Sequence, residues 1–334
     1  MLGLLLFLTI CTTPLLFLCP SLKCTILFLL PTPILKHLIS LYNIHFVEGA
    51  FCEIRGADDT KFRIEFIDKK TNKHLHFHDI SNNMWTRTNA KYFIDYLIKV
   101  KNKDTDELIH ECEYNAKGKR VMICFDSKAI GDTLAWFPYV EEFRKKHQCE
   151  VIVSTFHNEW FKENYPNLEF IEPGDTAYNL YARYDVGWYY NEADYEENNT
   201  INFNQIPTDF RKGPLGKTCS DILGLDYKEI KPKLTFKNTG STIEGDYVVI
   251  APHGSAHAKY WNHEGGWQAV IDHLNNNGYK VVMITQEPLG DEWHDSKLGG
   301  TLKGVIDKTG DFPLSERAND MMNAKAFIGI GSGL

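Results

Sequence analysis

The middle of the chain alternates short apolar runs with an amphipathic stretch. Arg120–Phe125 and Glu150–Thr155 are apolar runs of strand length, and residues 131–147 between them repeat apolar positions at helical spacing. Strands that alternate with helices are typical of a parallel, doubly wound sheet. We therefore predict a Rossmann-like domain over residues 118–240. Within it, the Tyr-, Asn- and Asp-rich residues 176–210 are expected to form an irregular insertion.

A second unit with the same pattern covers residues 241–334. Tyr247–Ala251 and Tyr279–Thr285 are predicted strands that flank a predicted helix at 265–276. The last predicted strand, at 326–330, leads into a glycine-rich end with no helix after it to cover the sheet. We therefore expect a second, incomplete Rossmann-like domain and a C-terminally truncated form of a longer protein.

Residues 44–117 have a different pattern. Short β-branched or aromatic runs separated by polar turns predict a small β-rich domain. One run carries His74, His76 and His78 at alternate positions, which places the three rings on one face of a strand. A metal site and a solvated strand face are the two interpretations, and the solvated face is favoured.

The first 43 residues form an apolar leader. Residues 1–35 are almost uniformly apolar, but Pro14 and Pro20 interrupt them, and no basic residue precedes Lys23 as it would in a secretory signal. A leader that associates with the membrane and a spurious upstream extension are equal alternatives, and a cleaved signal ranks below both.

The charge and the cysteine spacing of the chain argue against several classes of function. Among 334 residues, 44 Asp and Glu against 36 Lys and Arg give a net charge of -8, which argues against nucleic-acid binding through phosphates. The eight cysteines include no CxxC pair, so no zinc or thioredoxin-like spacing is present. Scattered cysteines suit a reducing cytoplasm.

The first candidate site follows the strand that ends at Phe125. Asp132 stands at the mouth of the next predicted helix, at the sheet edge where open α/β sheets bind ligands. Spacing alone leaves two roles open for Asp132, a helix cap or a catalytic acid or base. Asp126 is a competing acid in the same loop.

Three further candidates follow strands of the second unit. The loop at 251–267 holds Lys259 and small residues such as Ser255, which suit a phosphate. Glu287 follows the next strand and suits ribose hydroxyls, although an exposed loop acid is an equal alternative. The glycine-rich end is a third candidate for a diphosphate, consisting of Gly331, Ser332 and Gly333.

Four segments together carry a family resemblance over residues 44–334. FDSKAIGDTLAWFPYVEEFRKKHQCEVIVSTFHNEWFKENYP, PLGKTCSDILGL, HAKYWNHEGGWQ and AKAFIGIGSGL resemble the bacterial autotransporter heptosyltransferases, which are related to the lipopolysaccharide heptosyltransferases. The resemblance implies a GT-B fold preceded by a small β-rich domain. It implies metal-independent transfer of heptose from ADP-heptose to Ser hydroxyls of an autotransporter passenger in the cytoplasm.

The resemblance also assigns roles to residues. It places the catalytic base on Asp132 and phosphate binding on Lys259, Ser255 and the glycines of residues 331–333, and more loosely the donor ribose on Glu287. The chain departs from the family at Gly254-Ser255, where a Ser-Thr pair is expected, and at His257, where Gln is expected. The family's iron-binding segment and the parts that support its large homo-oligomer would lie beyond Leu334.

Other functions are weighed against this one. A nucleotide-dependent oxidoreductase would need GxGxxG after the first strand, and DSKAIGD does not supply it. A lipopolysaccharide heptosyltransferase is the nearest enzyme alternative, and the β-rich domain argues for a protein acceptor instead. The remaining alternatives are an inactive, truncated remnant that binds the passenger and, if the leader is real, a membrane-associated location.

Overall fold

The computed structural model describes residues 41–191 and 199–330. Residues 1–40 of the predicted leader lie outside these ranges, as do Gly331, Ser332 and Gly333 of the predicted phosphate loop. The described residues form three β-sheets and five α-helices. The helices are α1 Ile130–His147, α2 Leu215–Ile222, α3 Gly266–Asn276, α4 Glu292–Leu298 and α5 Leu314–Met322.

The largest sheet has seven strands and a mixed topology. In chain order its strands are β1 Leu41–Val47, β2 Phe51–Arg55, β5 Met84–Arg87, β8 Arg120–Phe125, β9 Glu150–Ser154, β10 Glu169–Phe170 and β11 Ala182–Val186. Their order across the sheet is β10-β9-β8-β11-β1-β2-β5. The strands from β10 to β1 pair in parallel, whereas β1, β2 and β5 form an antiparallel extension.

Two four-stranded sheets complete the fold. The first is antiparallel, with the order β4-β3-β6-β7, and consists of β3 Lys61–Asp68, β4 Lys73–Ser81, β6 Tyr96–Asn102 and β7 Leu108–Glu113. The second is parallel, with the order β14-β13-β12-β15, and consists of β12 Tyr247–Ala251, β13 Lys280–Met283, β14 Ile306–Asp307 and β15 Ala326–Gly329. All five residues of β12 are buried, as is typical of a central parallel strand.

The β-rich N-terminal segment shares a sheet and a core with the Rossmann-like segment. Phe46 of β1 pairs with Ala182 of β11, which joins the two segments in one sheet. The ring of Phe46 also contacts Tyr96 of the antiparallel sheet and Tyr181, at centroid distances of 5.7 and 5.2 Å. The β1 strand begins at Leu41, within the predicted leader. The domain boundary at 117–118 stays a prediction, since the sheet runs across it.

The expectation of an irregular insertion at 176–210 is wrong for β11. This strand occupies the sheet between β8 and β1. Its apolar residues Ala182, Tyr184 and Val186 are buried, while Arg183 and Asp185 alternate with them and form an ion pair at 3.0 Å. Because two of its five residues are charged, β11 does not stand out from the polar stretch around it. Its apolar and polar side chains nevertheless alternate with the period of two that is typical of a strand.

The three histidines of β4 lie on an edge strand. His74, His76 and His78 are exposed, and the rings of His76 and His78 are 6.1 Å apart. Within residues 41–191 and 199–330, no cluster of three or more His, Cys, Asp or Glu side chains could hold a metal ion. The exposure agrees with the solvated strand face that the sequence favours.

Candidate functional site

A cleft of about 540 Å³ lies between the loop that leads into α1 and the carboxyl edge of the parallel sheet. Its walls come from the loop before α1, the loops after β12 and β13, α4 and the segment from β14 to α5. The cations Lys128, Lys259 and Arg317 line it, together with the anions Glu287 and Asp311. Because carboxyl ends of parallel strands meet at one edge, loops far apart in sequence converge here.

Asp132 lies in the first turn of α1 and does not act as its cap. The N-cap is Ala129, which forms no side-chain capping bond. Instead, the Ser127 hydroxyl donates to Asp132 Oδ2 at 2.6 Å, and the Trp188 indole N–H donates to the same oxygen at 2.8 Å. Within the described residues both bonds reach Oδ2, which leaves Oδ1 available.

Hydrogen bonds and packed aromatic rings surround Asp132. The Ser127 hydroxyl also accepts a bond from the Ala129 backbone N–H at 3.1 Å, so both hydrogen-bonding directions of this group are used. The Trp188 ring packs against Trp136 and Phe210, with centroid distances of 5.3 and 4.8 Å. The competing acid, Asp126, is exposed and lies outside this hydrogen-bonded group. The bonds from Ser127 and Trp188 therefore hold Oδ2 of Asp132, and within the described residues Oδ1 stays available.

Lys259 and Ser255 form a polar pair on the opposite wall. The Lys259 ammonium donates to Ser255 Oγ at 3.0 Å. In the part of the chain that the structure describes, Lys259 forms no ion pair, so its charge is available to a ligand. Gly254 precedes the pair, and a Cβ there would lie 2.9 Å from Ile330 Cδ1 and 3.2 Å from Lys259 Cβ. Glycine therefore allows the loop to pack closely against the sheet edge.

Glu287 lies on the same cleft, as its place after β13 predicts. The Thr285 hydroxyl donates to the Glu287 carbonyl oxygen at 2.9 Å and fixes the turn, and Glu287 lines the cleft. The structure thus brings Lys259, Ser255 and Glu287 together. The fourth predicted element, residues 331–333, lies outside the described residues.

Three residues that line the cleft or contact Asp132 are not predicted as site residues from the sequence. Trp188 lies in the stretch that was expected to be irregular. Arg317 is buried on α5 and donates to the carbonyl oxygens of Thr285 (2.7 Å) and Gly310. His294 of α4 stacks on His253 at a centroid distance of 4.5 Å. Each contact joins segments distant in sequence, so local pattern carries no signal for it.

Burial shifts the protonation of His253. The ring is only 6% exposed, and burial lowers the pKa of His253 to about 4, with the nearby His294 lowering it further and Asp295 and Asp291 opposing. The imidazole is therefore neutral at pH 7 and offers one N–H donor and one acceptor.

The five cysteines in the described ranges are free thiols, and Cys52, Cys149 and Cys219 are buried. Burial raises the pKa of the Cys52 thiol to about 12, so this thiol is protonated and unreactive at neutral pH.

In the described part of the chain, no helix combines the length and apolar character needed to cross a membrane.

Comparison with known proteins places the chain among glycosyltransferases. The family model of glycosyltransferase family 9 (heptosyltransferase) matches residues 217–334. The Citrobacter rodentium autotransporter heptosyltransferase BAHTCr is 32% identical over 280 residues, which cover 82% of this chain and 64% of that protein. The Escherichia coli autotransporter heptosyltransferase Aah is 31% identical over 281 residues, 82% of this chain and 68% of that protein. The chain therefore spans about two thirds of the length of these relatives.

A solved structure agrees with this assignment. The dodecameric iron-containing heptosyltransferase TibC of E. coli, in complex with ADP-D-β-D-heptose, superposes with a TM-score of 0.74 at 29% identity, covering 87% of this chain and 73% of that chain. This similarity confirms the predicted α/β, GT-B-like fold class. On the identity to Aah over 68% of its length, the chain belongs to the autotransporter heptosyltransferase family.

Proposed function

We propose that this protein transfers heptose from ADP-heptose to serine hydroxyls of an autotransporter passenger in the cytoplasm. One observation carries the proposal: the turn of α1 that holds Asp132 stands across one cleft from Lys259, Ser255 and Glu287. Support comes from the family, and from TibC, whose structure holds ADP-D-β-D-heptose.

Asp132 is the proposed general base. The acceptor hydroxyl attacks the anomeric carbon, the bond from that carbon to the diphosphate breaks, and ADP leaves. Asp132 Oδ1 takes the proton of the hydroxyl as the new bond forms, because Ser127 and Trp188 occupy Oδ2. A positioned base of this kind contributes about 10²–10⁴-fold to the rate.

The opposite wall is the proposed donor site. Lys259 and Ser255 bind the diphosphate and stabilise the charge that develops on departing ADP, a role that a lysine fills without a divalent metal. Gly331, Ser332 and Gly333 supply further phosphate contacts, and Glu287 binds the ribose hydroxyls. Metal-independent transfer is part of the proposal.

The acceptor and the assembly are proposed on the same grounds. The β-rich segment at 44–117 distinguishes this chain from a plain pair of Rossmann-like domains, and we assign recognition of the passenger to it. TibC is described as dodecameric and iron-containing. We extend homo-oligomer formation to this protein.

Intact mass of a co-expressed passenger tests the proposal. With an ADP-heptose pathway present, the wild-type chain should add whole heptose units, and Asp132→Asn should add at least about 100-fold fewer per unit time. Asp126→Asn is the matched control, because it changes an exposed acid in the same loop. An Asp132→Asn variant as active as wild type refutes the base. An unmodified passenger, both with this chain and with a C-terminally extended chain, refutes the transferase.

A further inference from the structure

Trp188 reaches Asp132 because two neighbouring strands end in register. The strands β8 and β11 pair in parallel, with Phe125 opposite Val186 at their carboxyl ends. Ser127 and Trp188 each lie two residues beyond that pair, and both donate to Asp132 Oδ2, at 2.6 and 2.8 Å. The register of the two strands therefore brings donors from separate loops to one carboxylate oxygen.

Gly187 lets the chain approach the loop before α1 directly after β11. It is buried, and a Cβ there would lie 3.0 Å from Asp126 Cβ and 3.0 Å from the Tyr189 hydroxyl. Carbon atoms pack at about 3.5–4.0 Å, so a side chain at this position would push the two loops apart. The close approach that carries Trp188 to Asp132 is therefore built into the sequence at Gly187.

The two donors to Asp132 differ in how firmly they fix it. A hydroxyl rotates about its C–O bond, so the direction of the Ser127 donor is adjustable. The indole N–H of Trp188 points where its flat ring directs it, and that ring packs against Trp136 and Phe210. Because the terminal torsion of an aspartate is broad, a second donor with a fixed direction restricts where Oδ1 points.

We propose that Trp188 is a positioning residue for the catalytic base, which keeps Oδ1 of Asp132 directed at the acceptor hydroxyl. The inference rests on the proposed function, because it takes Asp132 as the base. A base acts only within hydrogen-bond reach of the proton that it accepts, and a displacement of about 1 Å can lower the rate about 100-fold. In this role Trp188 touches neither substrate, so its loss should lower kcat and leave substrate binding unchanged.

Steady-state transfer to the passenger by the 334-residue chain tests the effect on rate. Trp188→Phe keeps an aromatic ring beside Phe210 and removes the N–H. Its kcat should fall about 10- to 50-fold, with KM values for ADP-heptose and passenger within about twofold of wild type. Trp160→Phe is the matched control, because Trp160 is another half-buried indole, which packs on Phe236 at 5.3 Å, away from Asp132. The control should leave kcat within about twofold of wild type.

A double-mutant cycle separates positioning from a general loss of structure. In the Asp132→Asn background, Trp188→Phe should lower the residual kcat by less than about twofold, because no base is left to orient. An equally large loss in that background overturns the inference. It is also overturned by a Trp188→Phe kcat equal to wild type, or by a raised KM for the passenger at unchanged kcat, which would assign Trp188 to acceptor binding.

Indole NMR tests the hydrogen bond without the reaction. Of the signals from the seven tryptophans, the Nε1–H signal that Trp188→Phe removes should move upfield in Asp132→Ala, which deletes the acceptor oxygen. Asp126→Asn should move it far less. A signal that Asp132→Ala leaves in place overturns the inference whatever the rates. If the signal moves but neither this chain nor a C-terminally extended chain modifies the passenger, the proposed function is refuted, and the positioning role with it, while the bond stands.

Discussion

Arg317 joins two loops of the cleft wall that carries Lys259 and Glu287, which makes it a sensitive point for both stability and ligand binding. Its guanidinium donates to the carbonyl oxygens of Thr285 and Gly310, and to that of Lys308 at 3.3 Å. Thr285 precedes Glu287, and Gly310 precedes the cleft residue Phe312, over whose ring the guanidinium lies at 5.8 Å. We predict that Arg317→Met loosens both loops at once.

The expected loss of stability in Arg317→Met follows from the hydrogen bonds that Arg317 donates to three carbonyl groups. Loss of the guanidinium removes one buried and two part-buried hydrogen bonds, each worth about 0.5–1.5 kcal/mol, while the Thr285 carbonyl keeps the bond that it accepts from the Gly310 backbone N–H at 2.9 Å. Burial also lowers the pKa of Arg317, so the methionine relieves part of the cost of burying a charge. We expect a net loss of about 1–3 kcal/mol of unfolding free energy. At about 2–4 °C per kcal/mol, the thermal midpoint falls by roughly 2–12 °C.

A thermal scan and an ADP titration measure the two effects. Arg317→Met should lower the midpoint by that amount and weaken ADP binding at temperatures where the variant is folded. Arg55→Met is the matched control, because its ion pair with Glu53 is solvent-exposed and contributes little to stability. An Arg317→Met midpoint within about 1 °C of wild type, or a shift no larger than that of Arg55→Met, refutes the reasoning.

Three further predictions concern charge, packing and pH. Lys259→Ala should weaken ADP binding at least about tenfold in calorimetry, because the ammonium has no other ionic partner in the described residues. Phe137→Ala should lower the unfolding free energy in urea by about 3–5 kcal/mol, because this fully buried ring stacks on Phe161 at 3.7 Å. His147 should make stability depend on pH. Burial, with Lys146, lowers its folded pKa from 6.5 to about 4, so the unfolded chain binds more protons between these values. Stability present above pH 6.5 is lost as pH falls towards 4, and the urea midpoint should drop less steeply with acid in His147→Gln.

Each of these predictions has a control or a contrary outcome. Lys303→Ala removes an exposed lysine outside the cleft and should leave ADP binding unchanged. Tyr178→Ala truncates a ring that is 69% exposed and should change the unfolding free energy by less than about 0.5 kcal/mol. A urea midpoint of His147→Gln that falls with acid as steeply as wild type contradicts the burial argument for this histidine.

Much of the Rossmann-like pattern follows from local sequence. The observed bounds of β8 and β12 equal the predicted ones, and α1 begins one residue earlier than predicted. The spacing of apolar residues along a helix or strand indicates which of its faces is buried, whatever element packs against that face. The positions of Lys259, Ser255 and Glu287 after strands place them at one sheet edge by the same local logic.

The contacts that complete the site depend on tertiary packing. Trp188 reaches Asp132 across 56 residues, and His294 reaches His253 across 41. The burial that keeps His253 neutral and the pairing of β1 with β11 likewise arise only when distant segments meet. Periodicity records the burial of a residue within its own element, whereas hydrogen-bond partners and local dielectric are set by whatever packs against that element in space. A local pattern therefore predicts the loops of this cleft, and only the folded chain decides which side chains act together in it.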